Sequence, residues 1–221
     1  DCGSMNWLHT SLFLNPPAFL EELGKNMQEW GVKPEIEAFD PGMIANAAYY
    51  LKKGVLKAPL HFQFCMGCAN GIPGSLKNLI FMKETMESLC PGSTWSCFGV
   101  GHCALEMLYG AVALGGHIRV GMEDNVMYAK GVLAESNVQF VERARRVIEE
   151  YGKQVATPAE AREILSLASK HIRQESPAGR SLQGFPPEKR FSTGGTSFDP
   201  MNVTGNPDGS LLHDLSPAPL L

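Results

Sequence analysis

The sequence predicts an α/β fold of βα units around a parallel sheet, and two observations predict it. Helical and strand-like periods alternate from Pro16 to about Leu165, the order in which crossover helices pack onto parallel strands. Glycine or proline stops helical runs shortly before the next strand, at Gly31, Gly54 and Pro91-Gly92, as helix-terminating residues do. A complete eight-stranded barrel takes about 250 residues. Four strands and the remnant of another would therefore make roughly the second half of a (β/α)8 TIM barrel, from the end of the fourth strand through the eighth. An open doubly wound sheet is the alternative.

The opening stretch DCGSMNW reads as the tail of a strand followed by its loop, so the chain is expected to start inside a structural unit. Pro17 to Trp30 has helical period, with Phe19, Leu20, Leu23, Met27 and Trp30 on one side and Gly31 as its stop. KPEIEAFD is the next strand, Met43 to Lys53 a second helix closed by Gly54, and LHFQFCMG a strand. Ser75 to Leu89 is helical, TWSCFGVG a strand, His102 to Leu114 helical, and HIRVGMED the last strand. Two helices close the series, Asn137 to Tyr151 and Thr157 to Lys170, the second opened by Thr157 as cap and Pro158 in the first turn. Residues 1–174 form the predicted domain. Residues 175–221 are rich in Pro, Gly and Ser without apolar period and read as a disordered tail; its Asn202-Val203-Thr204 matches a glycosylation acceptor that carries little weight without a leader.

With 44% hydrophobic and 19% charged residues among 221, the composition is that of a globular domain. A net charge of -4 supplies no broad basic field for nucleic acid or an anionic membrane. No apolar run approaches the roughly 20 residues that span a bilayer, no secretory leader opens the chain, and a cytoplasmic location is expected. Six cysteines are then expected as reduced thiols. Cys65 and Cys68 form a C-x-x-C, with Cys97 and Cys103 downstream, which raises a zinc or redox module. The packing reading is favoured, because the second pair lacks the short spacing and Cys65 and Cys97 lie in apolar strands.

The sharpest signal is GGHIRVGMEDNVMY, residues 115–128, where a strand ends in charge. Chemistry in β/α folds collects where strands release the chain at their carboxyl ends. Glu123 and Asp124 fall at that end, as do Ser4, Asp40, the GCANGIPGS loop and GVGH; Glu35 and Glu37 lie along the strand before Asp40. Arg119 shares a face with Glu123 by alternation, and the inside of a sheet does not hold an unpaired guanidinium cheaply. On a straight strand Arg119 and Asp124 would lie about 16 Å apart, so they meet only if the chain folds back after Gly121.

The segments GGHIRVGMEDNVMYAKGVLAESN, PEIEAFDPGM, HFQF and TPAEAREIL, with the opening CGSMN, resemble in their order the β-keto acid cleavage enzymes, the 3-keto-5-aminohexanoate cleavage enzyme-like family, from Asp1 to about Leu165. The resemblance implies a (β/α)8 barrel with one zinc ion, Zn(2+). It also implies a reaction in which a β-keto acid condenses with acetyl-CoA and is cleaved in retro-Claisen fashion to acetoacetate and a new CoA thioester. It further implies Glu123 as a metal ligand, Asp124 as general base assisted by Arg119, Ser4 and Glu37 near the substrate with Glu35 the poorer match, and a homotetramer.

Those roles suit the residue types. Zinc polarises oxygens where an enolate develops, and a carboxylate beside an arginine is expected to stay ionised and able to accept a proton. GCANGIPGS is weighed evenly between a passage for CoA and an ordinary βα loop. Two departures stand out: the family's His-x-His metal ligands do not occur in this sequence, and His102 stands where the family usually has arginine. His61 and His117 open strands at the opposite end, and His9, His171 and His213 fall in loop, helix or tail. The chain alone is therefore expected to bind zinc poorly and be inactive; the alternative function is a truncated, non-catalytic half barrel that acts only when assembled with another chain.

Overall fold

Residues 1–167 are described by the computed structural model. The expected tail, and with it Asn202, lies outside the described residues. Local signals place most of the helices. Helix α1 spans Pro17–Glu29, with proline in its first turn. Asp40 caps α2 (Pro41–Lys52), its carboxylate accepting from the Met43 amide, and Ser75 caps α3 (Leu76–Leu89) by accepting from Asn78. Helix α4 (Ala104–Ala113) follows a single 3-10 turn over Gly101–Cys103, where the sequence predicted helix from His102. Helix α5 covers Asn137–Glu150. In α6 (Pro158–Ile164), Thr157 and Glu160 close a reciprocal capping box.

Eight strands run in chain order: β1 (Met5–Trp7), β2 (Ser11–Phe13), β3 (Glu35–Ala38), β4 (His61–Met66), β5 (Thr94–Gly99), β6 (His117–Ile118), β7 (Met127–Ala129) and β8 (Val132–Leu133). Strands β3-β4-β5-β6 pair in that order as one parallel sheet. The antiparallel hairpins β1-β2 and β7-β8 are additions that the strand-and-helix alternation did not signal. Before β1 the chain lies against β3, where the Cys2 amide donates to Glu37 O at 3.2 Å and Asn46 Nδ2 to Cys2 O at 2.8 Å.

Alternation gives the sheet two unlike faces. Ile36, Ala38, Phe62, Phe64, Met66, Trp95 and Cys97 are buried with Met43, Ile44 and Ala47 of α2, Leu79, Met82 and Met86 of α3 and Met107 and Ala111 of α4. This is the main apolar core, and burying each large side chain in it contributes about 1.5–3 kcal/mol. The opposite face carries Glu35, Glu37, His61, Gln63, Cys65, Thr94, Ser96 and Phe98 in register rows, Glu35 beside His61 beside Thr94 and Glu37 beside Gln63 beside Ser96. Parallel sheets are normally covered on both faces, and here the polar face collects the groups that bear chemistry. Among the described residues no helix is long and apolar enough to cross a membrane.

Strand β6 is shorter than the sequence predicted. HIRVGMED was expected to be extended throughout, but only His117–Ile118 is strand, with the Arg119 amide making one further bond to Cys97 O at 3.1 Å. Beyond it the chain turns: the Asp124 and Asn125 amides both donate to Gly121 O, at 3.3 and 3.2 Å.

Candidate active site

That turn decides the geometry of the site. It carries Asp124 back over the end of β6, and the Gly101 amide holds it there by donating to Asp124 O at 2.8 Å. Asn137 at the start of α5 supports the turn from outside, its side-chain oxygen accepting from the Met122 amide at 2.8 Å. Arg119 and Asp124 thus form a two-pronged pair, Nε to Oδ2 at 3.0 Å and Nη2 to Oδ1 at 2.7 Å. The condition read from the sequence, a chain folded back after Gly121, is met.

Arg119 has two further polar partners. Its Nη1 donates to Gln63 Oε1 at 3.0 Å and its Nη2 to Glu123 Oε2 at 3.0 Å, while its guanidinium carbon lies 4.2 Å from the centre of the Phe98 ring. Gln63 is buried and reaches Ser96 Oγ through Nε2 at 3.5 Å, and Ser96 Oγ in turn donates to Phe62 O at 3.4 Å. Sequence reasoning missed Gln63, Ser96 and Phe98. A buried amide and hydroxyl facing the same side as His61 in otherwise apolar strands was the available signal, readable by alternation.

The two adjacent carboxylates differ sharply in exposure. The Asp124 side chain is 8% exposed and that of Glu123 85%. Burial pushes the Asp124 carboxyl above its ordinary range, with the Arg119 bonds pulling the other way. The sequence reading expected the neighbouring arginine to keep this carboxylate ionised, and burial acts against that pull. Glu37 shares a row with Gln63 and is half-buried; burial raises its pKa too, opposed by the charge on Arg119. Glu35 sits one row nearer the amino end, where its carboxylate lies 3.7 Å from His61 Nε2. Ser4 is exposed, and its hydroxyl accepts from the Asn15 amide at 2.8 Å.

Other candidates have structural explanations. Asp40 caps α2. His61 and His117 stand at the far end of the sheet with ring centres 6.1 Å apart, His61 bonded to Thr94 Oγ1 at 2.9 Å. All six cysteines are free and buried, and burial raises the thiol pKa values of Cys65 and Cys68. In the GCANGIPGS loop Gly67 and Gly74 make room for Cys103, because a Cβ at either would lie within 2.5 Å of its sulfur. The amides of Gly67, Gly71 and Ile72 are taken by Ile72 O, Cys68 O and Phe39 O. Packing therefore accounts for much of this loop's glycine content.

A zinc site needs three or four convergent ligands. Among the described residues no three His, Cys, Asp or Glu side chains form a group able to hold a metal. Glu123 offers one carboxylate, already bonded to Arg119. These residues alone do not fit the ion.

Comparison with known proteins gives a consistent picture. The profile of the beta-keto acid cleavage enzyme family matches residues 1–167. The 3-keto-5-aminohexanoate cleavage enzyme of Fusobacterium nucleatum is 46% identical over 167 residues, which cover 76% of this chain and 60% of that protein. The 3-oxoadipate:acetyl-CoA acetyltransferase of Cupriavidus necator is 41% identical over 175 residues, 79% of this chain and 61% of that one. The 3-dehydrocarnitine:acetyl-CoA trimethylamine transferase of Rhizobium meliloti is 38% identical over 171 residues, covering 77% and 56%. This chain thus spans about three fifths of the length of these relatives. Among solved structures, apo ObcA aligns with a TM-score of 0.66 at 18% identity over 76% of this chain and 43% of its own, a likeness of fold.

Proposed function

The chain belongs to the beta-keto acid cleavage enzyme family, and from that membership we propose that it carries the acid–base half of an active site that exchanges acyl groups between a β-keto acid and acetyl-CoA. The sum reaction is balanced without a redox step: the β-keto acid and acetyl-CoA give acetoacetate and a new acyl-CoA. Relatives named for acetyl-CoA transfer support the co-substrate. The observation that carries the reading is the bidentate Arg119–Asp124 pair at the carboxyl edge of the parallel sheet, with Glu37 along the same polar face.

Asp124 is the general base. Its Oδ takes the proton from the carbon between the keto and carboxylate groups, for which a carboxyl raised above its ordinary range by burial is better matched than a solvated one. The resulting carbanion attacks the thioester carbonyl of acetyl-CoA and releases the CoA thiolate. That thiolate then adds to the original keto carbon, whose bond to the central carbon breaks; the central carbon leaves as a carbanion and takes back the proton held by Asp124, giving acetoacetate. Arg119 holds Asp124 in position and balances its charge, while Gln63 and Phe98 fix the guanidinium. Ser4 and Glu37 contact the β-keto acid.

Were a zinc ion bound, it would supply Lewis-acid polarisation of the substrate oxygens. Of the described residues Glu123 alone would be a ligand, which is too few to hold the ion without others. The four parallel strands are then part of a (β/α)8 barrel whose interior is the polar face. The second reading is that the four-stranded parallel sheet belongs to a half barrel active only when assembled with another chain. Gel filtration separates the two, since a compact monomer with full turnover excludes the need for a partner.

The experiment is a pair of substitutions in the intact protein. Glu123→Gln lowers zinc content, measured by atomic emission. Asp124→Asn keeps the metal and lowers turnover of β-keto acid with acetyl-CoA by at least about a hundredfold. Normal turnover in both variants overturns the assignment.

A further inference from the structure

Tyr128 lies on β7, in the segment between the end of β6 and α5. Its ring is fixed from two sides: the Phe140 ring centre lies 6.0 Å away, and the Arg143 guanidinium carbon sits 3.6 Å from the Tyr128 ring centre. Arg146, one turn further along α5, donates from Nη2 to the Tyr128 hydroxyl at 3.3 Å. Among the described residues the α5 arginine in an ion pair is Arg145, 3.7 Å from Glu149. Arg143 and Arg146 turn instead to Tyr128, one over the ring and one on the hydroxyl, so two guanidinium charges gather on one side chain in a chain of net charge -4.

Arg143 also lines the cavity that contains Arg119, Gly121, Asp124 and Asn125. Arg143 and Phe140 are thus common to that cavity and to the Tyr128 cluster. Guanidinium groups stacked on an aromatic ring lose little conformational freedom when they take a phosphate, and their fork matches its oxygens. Phosphate in (β/α)8 enzymes is frequently held by the loops after the last two strands. The corresponding segments here are Val100–Cys103 and the stretch from Gly121 to Ser136 that carries Tyr128.

We propose that Tyr128, Arg143 and Arg146 form an anion subsite for the phosphate groups of the coenzyme A thioester, placed beside the reacting pair by the cavity that Arg143 shares with it. The inference rests on the reading of the site as CoA-dependent, and it puts the phosphates at α5 rather than at the glycine-rich loop after β4.

The test compares acetyl-CoA with acetyl-pantetheine, which has the thioester and lacks the phosphates, on the intact protein. Arg143→Gln and Arg146→Gln each raise KM for acetyl-CoA about tenfold, as expected for loss of a charge-assisted bond, and leave KM for acetyl-pantetheine unchanged. Arg143→Lys recovers part of the loss, and the control Arg145→Gln changes neither substrate. Equal losses with both thioesters, as a folding defect or a carboxylate contact to the β-keto acid would produce, overturn the subsite; so does no change with either. Should the unmodified protein turn over neither thioester, the cleavage reading falls, and calorimetric titration with CoA itself still decides. Binding weakened about tenfold in both glutamine variants supports the subsite, and binding that is unchanged or absent overturns it.

Discussion

Removing the charge of Arg119 makes the interaction at the centre of the site measurable. Two unit charges about 4 Å apart attract by about 4 kcal/mol at an effective dielectric of about 20. Desolvation offsets a large share of that, and the Arg119 side chain, 31% exposed, is partly screened by water. The coupling between Arg119 and Asp124 should therefore be about 2 kcal/mol, with the exposed Glu123 contributing about 0.5 kcal/mol or less. A double-mutant cycle of Arg119→Met and Asp124→Asn measures it, by urea unfolding of the intact protein followed through its tryptophan fluorescence. The Met variant should lose more stability at pH 8 than at pH 5. Without the guanidinium, the folded-state pKa of Asp124 rises further above the unfolded value, so stability is lost as pH rises through that window. A coupling below about 0.5 kcal/mol, or a loss independent of pH, would refute the claim that a buried carboxylate depends on Arg119.

Two further predictions concern the scaffold. Burial, assisted by the charges on His117 and Lys33, lowers the His61 pKa from 6.5 to about 4. The unfolded chain therefore takes up a proton that the folded one refuses, and stability should fall by about 2 kcal/mol, after discounting for screening, as pH drops from about 6.5 to about 4. Melting curves across that range should show a shallower slope for His61→Gln; an unchanged slope counts against a buried neutral imidazole. At Gly74 a Cβ would lie 2.3 Å from Cys103 Sγ. Gly74→Ala should cost about 1–3 kcal/mol by overpacking, with part of it returned by Cys103→Ala, and a neutral Gly74→Ala would show that the loop yields instead.

The sequence carried what depends on neighbours along the chain. Asp40, Ser75 and Thr157 announce helix starts because their side chains reach amides three residues on. The apolar alternation of HFQFCM and TWSCFG places β4 and β5, and through it the face on which Glu37 and Gln63 meet. Arg119, Glu123 and Asp124 could be named, since unpaired charge at the end of an interior strand needs a partner. Which partner it takes was decided by tertiary structure. The turn after Gly121 is held by Gly101 and Asn137, residues 20 before and 16 after it along the chain. No local period encodes such bonds, and with the turn's own bonds to Gly121 O they convert a separation of about 16 Å on a straight strand into a 2.7 Å ion pair. The burial that raises Asp124 has the same origin, since helices and strands distant in sequence exclude water from one carboxylate and leave its neighbour Glu123 in solvent.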